Sequence, residues 1–460
     1  MQSLENSKKQ VISLDYQGAK VSTLSYSAVP QPYSSKWIQI SELQPLRPAN
    51  EQDFLSLPVL HEGFFDSHMH PSWMARLLSQ IDLNQKTTEE LNVEMGSTNK
   101  SVVYGFGWNE EFYGVGLDEI TRYFDLVLPQ DRKIYFFRKC GHSAYLSKAA
   151  KKKLKINHSQ LIRDKEIAKI PEQNINVDEF IRNFKIVISN LKSEGISSAC
   201  DLLVSNHDLQ NLKSIMDSEF DIHYFQDIHS FNFFKNSPKK NNQYVKFFLD
   251  GSLGSQSAWL SQAYQDNPLN TGIQIWNDEN LFQKAKQALE KNFLLAFHAL
   301  GDGAIDQALR LGDALAPELK KLSAKSEGFF HRLEHLQVCR DDQIEKIKKQ
   351  GFWSLGLQPS HRIADSSFTL KRLGEKRAMK ESYRLKSFLN AGLRLSLGSD
   401  APIVSFSPSK CINASTQDPR SCERLSLSQC FELMITQGRQ NTGFDVKKLT
   451  RDSKAWLSNE

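Results

Sequence analysis

The stretch GFFDSHMHP, residues 63–71, is an apolar run that ends in two histidines separated by one residue. Side chains at positions i and i+2 of a β-strand point to the same face. His68 and His70 would therefore share a face if this run is a strand. Two imidazoles placed in this way can bind one metal ion. The pair also fits two polar residues in a turn, and the stretch alone leaves both interpretations open.

Seven further apolar runs follow along the chain, separated by amphipathic stretches with helical periodicity such as residues 280–292 and 341–351. Such alternation is typical of strands and helices that build a parallel sheet. With eight strands it predicts an α/β protein with a (β/α)8 TIM barrel. The predicted strands are residues 62–68, 196–203, 220–226, 244–250, 293–298, 329–335, 352–358 and 393–400.

Two regions fall outside this alternation. Residues 1–61 contain weaker strand-like runs and Pro-rich loops, and they predict a small β-rich appendage to which part of 440–460 contributes. Residues 62–439 would form the barrel. Within it, residues 96–190 hold two further apolar runs and the basic stretch KAAKKKLK. We expect this segment to be an inserted subdomain over the barrel mouth, with the lysines on a solvated helix face.

The composition limits the classes of partner. The chain has 460 residues and a formal net charge of +5, with both signs interspersed, so no nucleic-acid-binding surface is indicated. Its six cysteines show no CxxC spacing, which argues against a zinc ribbon and a dense disulfide framework. Neither a signal peptide nor a long apolar segment is evident, so we expect a soluble cytoplasmic protein without a membrane partner.

Polar residues close several of the predicted strands. His298 ends FLLAFH, His335 ends FFHRLEH and Asp400 ends LRLSLGSD. Each one by itself is better explained as a hydrogen-bonded structural residue. Barrel topology, however, would bring these strand ends to one rim. Imidazoles and a carboxylate together suit Zn²⁺ or a similar divalent cation.

Lys246 lies inside a predicted strand, YVKFFLD. A lysine inside a barrel is costly unless it is paired or neutralised. It could form an ion pair with Asp250 or Asp66. Alternatively, it could be carboxylated, and the resulting carbamate could bridge two metal ions.

As an ordered set, these segments resemble the amidohydrolase superfamily, and within it the amidohydrolase-3 branch of YtcJ-like enzymes. The likeness spans about residues 62–437. The matching segments are GFFDSHMHP (63–71), RKCGHSAYLSKAA (138–150), VKFFLDGSLGSQSA (245–258), FHALGDGAID (297–306), HRLEHLQ (331–337), LQPSH (357–361) and LGSDAPIVSFSP (397–408).

The resemblance implies a set of metal ligands. His68 and His70 would bind one divalent cation, which Asp400 would also contact. A carboxylated Lys246 would bridge to a second cation. His298 and His335 would hold that second cation.

The resemblance also implies a reaction. It is hydrolysis of a C–N bond in a small amide, N-acyl or cyclic amide compound, by hydroxide formed on the metal, with Asp400 as the base. His142, or the second metal, would polarise the scissile carbonyl. The cation is expected to be Zn²⁺, with one or two per chain, and a homodimer is expected by analogy. The alternatives are an esterase or lactonase using the same site, and a relative that binds a ligand without catalysis.

Several further residues are expected near the substrate. These are Trp108, Asp250, Gln358 and His361. Glu334 should face away from the site because it alternates with His335. Cys140 stands where the branch has an acidic residue, a departure that concerns substrate preference.

Overall fold

Three β-sheets organise the part of the chain that the structure, a computed structural model, describes. That part comprises residues 63–116, 119–158, 161–171, 173–212, 220–229, 244–326 and 328–442, together with four strands before residue 61. The strands are β1 (Lys9–Tyr16), β2 (Ala19–Tyr26), β3 (Trp37–Gln39), β4 (Val59–Leu60), β5 (Phe64–Met69), β6 (Ile81–Asp82), β7 (Val102–Trp108), β8 (Lys133–Arg138), β9 (Ser143–Leu146), β10 (Ile162–Arg163), β11 (Ile196–Val204), β12 (Asp221–Asp227), β13 (Tyr244–Phe248), β14 (Leu294–Ala299), β15 (His331–His335), β16 (Trp353–Leu357) and β17 (Arg394–Leu397).

Helices alternate with most of these strands. They are α1 (Pro71–Leu77), α2 (Thr88–Ser97), α3 (Ile120–Val127), α4 (Lys148–Leu154), α5 (Val177–Ser193), α6 (Asn206–Leu212), α7 (Asp278–Glu290), α8 (Asp302–Ala314), α9 (Ala316–Lys325), α10 (Asp341–Gln350), α11 (Pro359–Ala364), α12 (Thr369–Lys380), α13 (Leu385–Asn390), α14 (Pro408–Thr416), α15 (Leu427–Phe431) and α16 (Gln437–Asn441). Among the described residues, no helix is long and apolar enough to cross a membrane.

The largest sheet is the predicted barrel. Its order is β5-β11-β12-β13-β14-β15-β16-β17, and every pair is parallel. At the carboxyl ends of β17 and β5, Asp400 N donates to His68 O and His70 N donates to Ala401 O, which joins the two outer strands. All eight predicted strands are confirmed, each with bounds within a few residues. The chain therefore has an α/β fold, a (β/α)8 TIM barrel.

The barrel strands are buried on both faces. All residues of β5, β14, β15 and β16 are buried. Continuous apolar runs are typical of parallel strands that helices cover. Helix α7 begins where the Asn277 side chain accepts from Asn280 N, and α10 ends at Gly351, whose φ is +75°. These helices turn their apolar faces to the sheet, so the strands and their carboxyl ends are held at fixed positions.

A second sheet lies in the predicted insertion. Its order is β10-β9-β8-β7-β6, and it has its own apolar core, which includes Trp108, Phe124 and Phe136. This sheet takes in chain on both sides of the predicted boundary at residue 96. Helix α5 instead packs into the barrel core. The loop between β8 and β9 carries His142 to the barrel mouth.

A third sheet, β1-β2-β3-β4, is antiparallel and falls within the predicted appendage. The three strand-like runs noted in the sequence correspond to β1, β2 and β3. The part of the appendage that was predicted to come from residues 440–460 lies mostly outside the described residues. The division of the chain into appendage, barrel and insertion stays a prediction.

Candidate metal centre

His68 lies at the end of β5 and is fully buried. Its Nδ1 is 2.7 Å from Oε2 of Glu334. Because a carboxylate can only accept, this contact holds the proton on Nδ1 and leaves a lone pair on Nε2. Nε2 has no hydrogen-bond partner and lies 3.2 Å from Oδ1 of Asp400. A buried imidazole with one nitrogen anchored and the other unused is arranged as a metal ligand.

His70 is the second buried imidazole of this strand end. Its Nε2 lies 2.9 Å from the same Oδ1 of Asp400, and its Nδ1 has no partner. Its ring contacts the edge of Trp73, with centroids 5.8 Å apart. The two histidines of the opening motif therefore converge on one carboxylate oxygen, and the turn interpretation does not describe them.

Asp400 follows β17 and occupies the centre of the cluster. Its φ of +62° is uncommon for a residue other than glycine and costs on the order of 1–3 kcal/mol. Burial opposes ionisation. The electrostatic interaction with His68 and the hydrogen bond from His361 nevertheless hold the pKa of Asp400 well below its usual value. The Asp400 side chain is therefore ionised, and its carboxylate oxygens contact His68, His70 and His361.

Lys246 lies within β13 and is almost completely buried. Its Nζ has no hydrogen-bond partner and stands 5.5 Å above the Phe248 ring centroid. Neither of the ion pairs considered for it, with Asp250 or with Asp66, occurs. Burial lowers the pKa of Lys246 to about 8, so a substantial fraction of the amine is neutral near that pH.

His298 and His335 end β14 and β15. Their ring centroids are 4.3 Å apart, and the His335 ring lies 4.7 Å from that of His68. His298 Nε2 contacts Gly251 O at 2.9 Å, while His335 Nδ1 has no partner. Burial, and then the neighbouring histidines, hold the pKa of both imidazoles well below 6.5. Neutral imidazoles are the form that binds metals.

The donor atoms of this cluster fit a divalent cation. Two groups of buried side chains bring one donor each within 4.8 Å of one another, namely His68, His70 and Asp400, and His335, His361 and Asp400. Two donors about 2 Å from one tetrahedral zinc ion lie about 3.3 Å apart. The histidine–Asp400 contacts of 2.9, 3.2 and 3.1 Å are close to that spacing. The cluster also contains buried ring nitrogens that have no hydrogen-bond partner, and such atoms are costly unless a ligand binds them.

Glu334 was expected to face away from the site, and this expectation is wrong. His335 has a φ of +77°, so the strand alternation ends before it and both side chains serve the same cluster. Arg332 Nε donates to Glu334 Oε1 at 2.5 Å. Although burial opposes it, the charge of Arg332 and then the interaction with His68 lower the pKa of Glu334 to about 2. Its ionised carboxylate orients His68.

A cavity of about 1190 Å³ opens above the cluster. Its wall includes His142 and His361, two of the residues predicted to act on or contact the substrate. The His142 ring lies 5.4 Å from the His298 ring. His361 Nε2 lies 3.1 Å from Asp400 Oδ2, so this side chain also contacts the buried cluster. A cavity of this size accommodates a small organic molecule.

Trp108 does not line this cavity. Its side chain is 0% exposed, and its Nε1 donates to Phe136 O at 2.7 Å in the core of the insertion. The following residue, Asn109, lies on the cavity wall instead. The expectation that Trp108 contacts substrate is therefore corrected: β7 turns the indole inward because the insertion has a core of its own.

Asp250 and Gln358 are also placed behind the cavity wall. The Asp250 carboxylate accepts from the backbone N–H groups of Trp259, Leu300 and Gly301 at 2.8–3.0 Å. Gln358 Nε2 lies 3.0 Å from His68 Nδ1. Neither side chain reaches the cavity, and both support the loops and ligands around it. Their predicted contact with substrate is corrected in the same way.

Cys140 and its neighbour Arg138 occupy the wall of the cavity near His142. Arg138 is held by Glu110, which accepts from Nε and Nη2 at 2.9 Å each. Although burial opposes it, the charges of Arg138 and His142 lower the pKa of the Cys140 thiol. Sequence reasoning missed the Glu110–Arg138 pair, whose members are 28 positions apart and are joined only by the folding of the insertion.

Several known proteins are similar to this chain over most of its length. The model of the amidohydrolase family matches residues 62–448. YtcJ of Bacillus subtilis (strain 168), which carries an amidohydrolase name, is 26% identical over 78% of this chain and 74% of its own length. The Arabidopsis thaliana protein LONG AFTER FAR-RED 3 is 25% identical over 76% of this chain and 67% of its own length.

A solved structure is similar as well. The crystal structure of a metal-dependent hydrolase of uncharacterised activity from Pyrococcus furiosus is 26% identical and has a TM-score of 0.63. The similarity covers 83% of this chain and 82% of that chain. Since the family model covers most of the chain, and the matched region includes every strand of the barrel, the protein belongs to the amidohydrolase family.

Proposed function

We propose that the protein hydrolyses a C–N bond of a small non-peptide amide, N-acyl or cyclic amide compound. The observation that carries the proposal is the position of Asp400, whose ionised carboxylate contacts His68, His70 and His361 at the floor of the cavity. A divalent cation held by such residues lowers the pKa of a water molecule to about 7 and polarises a carbonyl. Membership in the amidohydrolase family supports hydrolysis.

The first metal position is assigned to His68, His70 and Asp400. Glu334 keeps the Nδ1 proton of His68 in place, so Nε2 faces the shared position. His70 reaches the same Asp400 oxygen from the side of Trp73. The mixture of imidazole and carboxylate suits Zn²⁺ or a similar divalent cation.

Asp400 is assigned the proton transfers. Its carboxylate lies at the floor of the cavity, with its two oxygens directed to different partners. Because its pKa is held low, the group is ionised at neutral pH and can accept a proton. Such general base and acid action by a positioned side chain contributes about 10²–10⁴-fold to a rate.

His142 is assigned to the substrate carbonyl. It lies on the cavity wall beside His298, on the loop that the insertion holds above the barrel. An imidazole N–H at this position can donate a hydrogen bond to the oxygen on which charge develops. The insertion would thus complete a site whose floor the barrel builds.

Lys246 is assigned a second metal position, together with His298 and His335. Its unpartnered Nζ and lowered pKa support reaction of the neutral amine with CO₂. The neutral amine nitrogen forms a bond to the carbon of CO₂ as one C–O π bond breaks, and the nitrogen then loses one proton, which leaves a carbamate anion. Starting from the ammonium form, two protons are released in all. The carbamate would remove the cost of burying an unpaired ammonium group.

The metal assignment is tested by elemental analysis of the protein reconstituted with Zn²⁺ and bicarbonate. We expect about two ions per chain in wild type and one or none in Lys246→Ala. One ion in both would leave Lys246 without a metal role but keep a mononuclear hydrolase. Absence of bound metal in both, with the fold intact, would overturn the proposed function.

The bond type is tested with paired substrates. Wild type and Asp400→Asn, both checked for fold by circular dichroism, are assayed on N-acyl amides, cyclic amides and the matched esters. We expect amide turnover in wild type and a loss of at least about 10²-fold in the variant. Turnover of esters or lactones alone would replace the C–N assignment by the esterase alternative.

A further inference from the structure

The seventh barrel strand leads to a histidine that contacts the central carboxylate. His361 lies in the short helix α11, just after β16, and is 8% exposed. Its Nε2 is 3.1 Å from Oδ2 of Asp400. Its ring stands perpendicular to the His335 ring, with the centroids 6.2 Å apart. His361 therefore belongs to the same buried cluster as the ligands proposed above.

The two oxygens of Asp400 serve different histidines. Oδ1 lies 2.9 Å from His70 and 3.2 Å from His68, whereas Oδ2 lies 3.1 Å from His361. The carboxylate thus separates two groups of donors, one on each side. The donor atoms of His335, His361 and Asp400 lie within 4.8 Å of one another and are all buried.

His335 provides an independent sign of a ligand on the second side. Its Nδ1 is buried and has no hydrogen-bond partner. A buried ring nitrogen without a partner is costly unless something binds it. His298, by comparison, uses Nε2 on Gly251 O and is not among the donors that converge within this distance.

We infer that His361 would be a direct ligand of the second cation, together with His335 and Asp400. The inference rests on the proposed function, because it requires two metal positions. It changes the expected role of His361 from substrate contact to metal binding. It also adds a donor from the seventh strand to the second position, which was assigned to Lys246, His298 and His335. A donor set of two imidazoles and a carboxylate suits Zn²⁺.

The alternative is that His361 only orients Asp400 by a hydrogen bond. The variant His361→Gln separates the two roles, because its amide can still donate to Asp400 but does not replace an imidazole as a zinc ligand. His229→Gln is the matched control. His229 also lies on the cavity wall, stacked on Trp276 with centroids 5.7 Å apart, and it is in neither donor group.

The experiment is a Zn²⁺ titration of the full chain against a chromophoric chelator, followed by elemental analysis. We expect two binding steps in wild type and in His229→Gln. In His361→Gln the weaker step should be lost or weakened at least about 10-fold, with the stronger step unchanged. Circular dichroism verifies that each variant is folded.

Each other outcome overturns the inference in a recognisable way. Two unchanged steps in His361→Gln would assign His361 to orienting Asp400. A single step in both wild type and the variant would overturn the second position but keep the proposed hydrolase. No binding in wild type would overturn both proposals. A crystal structure of wild type with Zn²⁺ tests the same point without a variant, since an ion must lie within bonding distance of His361 Nε2.

Discussion

The Glu334 carboxylate accepts a hydrogen bond from Nδ1 of His68 at 2.7 Å, across the barrel from the sixth strand to the first. Both side chains are fully buried. Carboxylate partners of this kind fix the orientation of a ligand histidine and raise its basicity. The contact therefore links the interior of the barrel to the buried cluster at the floor of the cavity.

Replacing Glu334 by Gln should weaken metal binding. The amide cannot reproduce the negative charge that holds the Nδ1 proton, so we expect a 10- to 100-fold loss of affinity for Zn²⁺. A chelator competition titration measures this change. Glu345→Gln, at an exposed position of α10, is the control and should bind as wild type does. Equal affinity in Glu334→Gln would show that the carboxylate has no role in orienting the ligand.

Gly356→Ala should have a similar effect by a steric route. A Cβ at this position of β16 would overlap the Glu334 carboxylate and approach Arg332 Nη2 to 2.5 Å. We expect weaker Zn²⁺ binding and a free energy of unfolding lower by about 1–3 kcal/mol, as is usual for overpacking. Gly96→Ala is the control, because nothing lies within 4 Å of its added Cβ. Unchanged metal affinity in Gly356→Ala would contradict the close approach.

Trp108→Ala should lower the free energy of unfolding and should have little direct effect on substrate affinity. Removing this indole from the core of the insertion is expected to cost about 3–5 kcal/mol. Trp73→Ala, at a half-buried position on the cavity wall, should change KM with a smaller effect on unfolding. Denaturant unfolding and steady-state kinetics of both variants check this. A normal free energy of unfolding in Trp108→Ala, with a raised KM, would restore the role in substrate binding.

The Glu110–Arg138 pair should make stability depend on pH. Although burial opposes it, the hydrogen bond from Arg138 and its charge lower the pKa of Glu110 from 4.5. A carboxyl with a lower pKa in the folded state stabilises above its unfolded pKa, and this contribution is lost as the pH falls through the folded pKa.

The free energy of unfolding of Glu110→Gln should therefore be lower than that of wild type by about 1–3 kcal/mol at pH 7. The difference should shrink as the pH falls below 4.5. Urea unfolding between about pH 7 and pH 3 measures it. Glu279→Gln, at an exposed position of α7, is the control. A difference that persists at the acid end would mean that the pair does not depend on the ionised carboxylate.

Removing metal with a chelator should destabilise the protein. A ligand that binds only the folded state at 100 times its Kd contributes about 2.7 kcal/mol. We expect a fall in Tm after chelation, recovery on adding Zn²⁺, and a much smaller response in His68→Asn. Scanning calorimetry of wild type and variant measures these shifts. An identical Tm with and without Zn²⁺ would contradict the metal centre.

The sequence by itself determined the barrel and the rim on which the site is built. Eight apolar runs separated by helical periods leave few topologies, because parallel strands need crossover helices and bury both faces. In such a barrel the carboxyl ends of all strands lie on one side. His68, His298 and Asp400 could therefore be assigned to one place from their positions at strand ends alone.

Only the tertiary structure decided which atoms meet there. Glu334 and His68 are 266 positions apart, and His335 joins the same cluster because its left-handed φ interrupts the alternation of the strand. Likewise, Trp108 faces inward because the insertion buries a core of its own, and His361 meets Asp400 because α11 begins at the barrel rim. Periodicity specifies which elements form. Side-chain direction at the ends of elements, where regular φ and ψ values stop, depends on packing between distant segments.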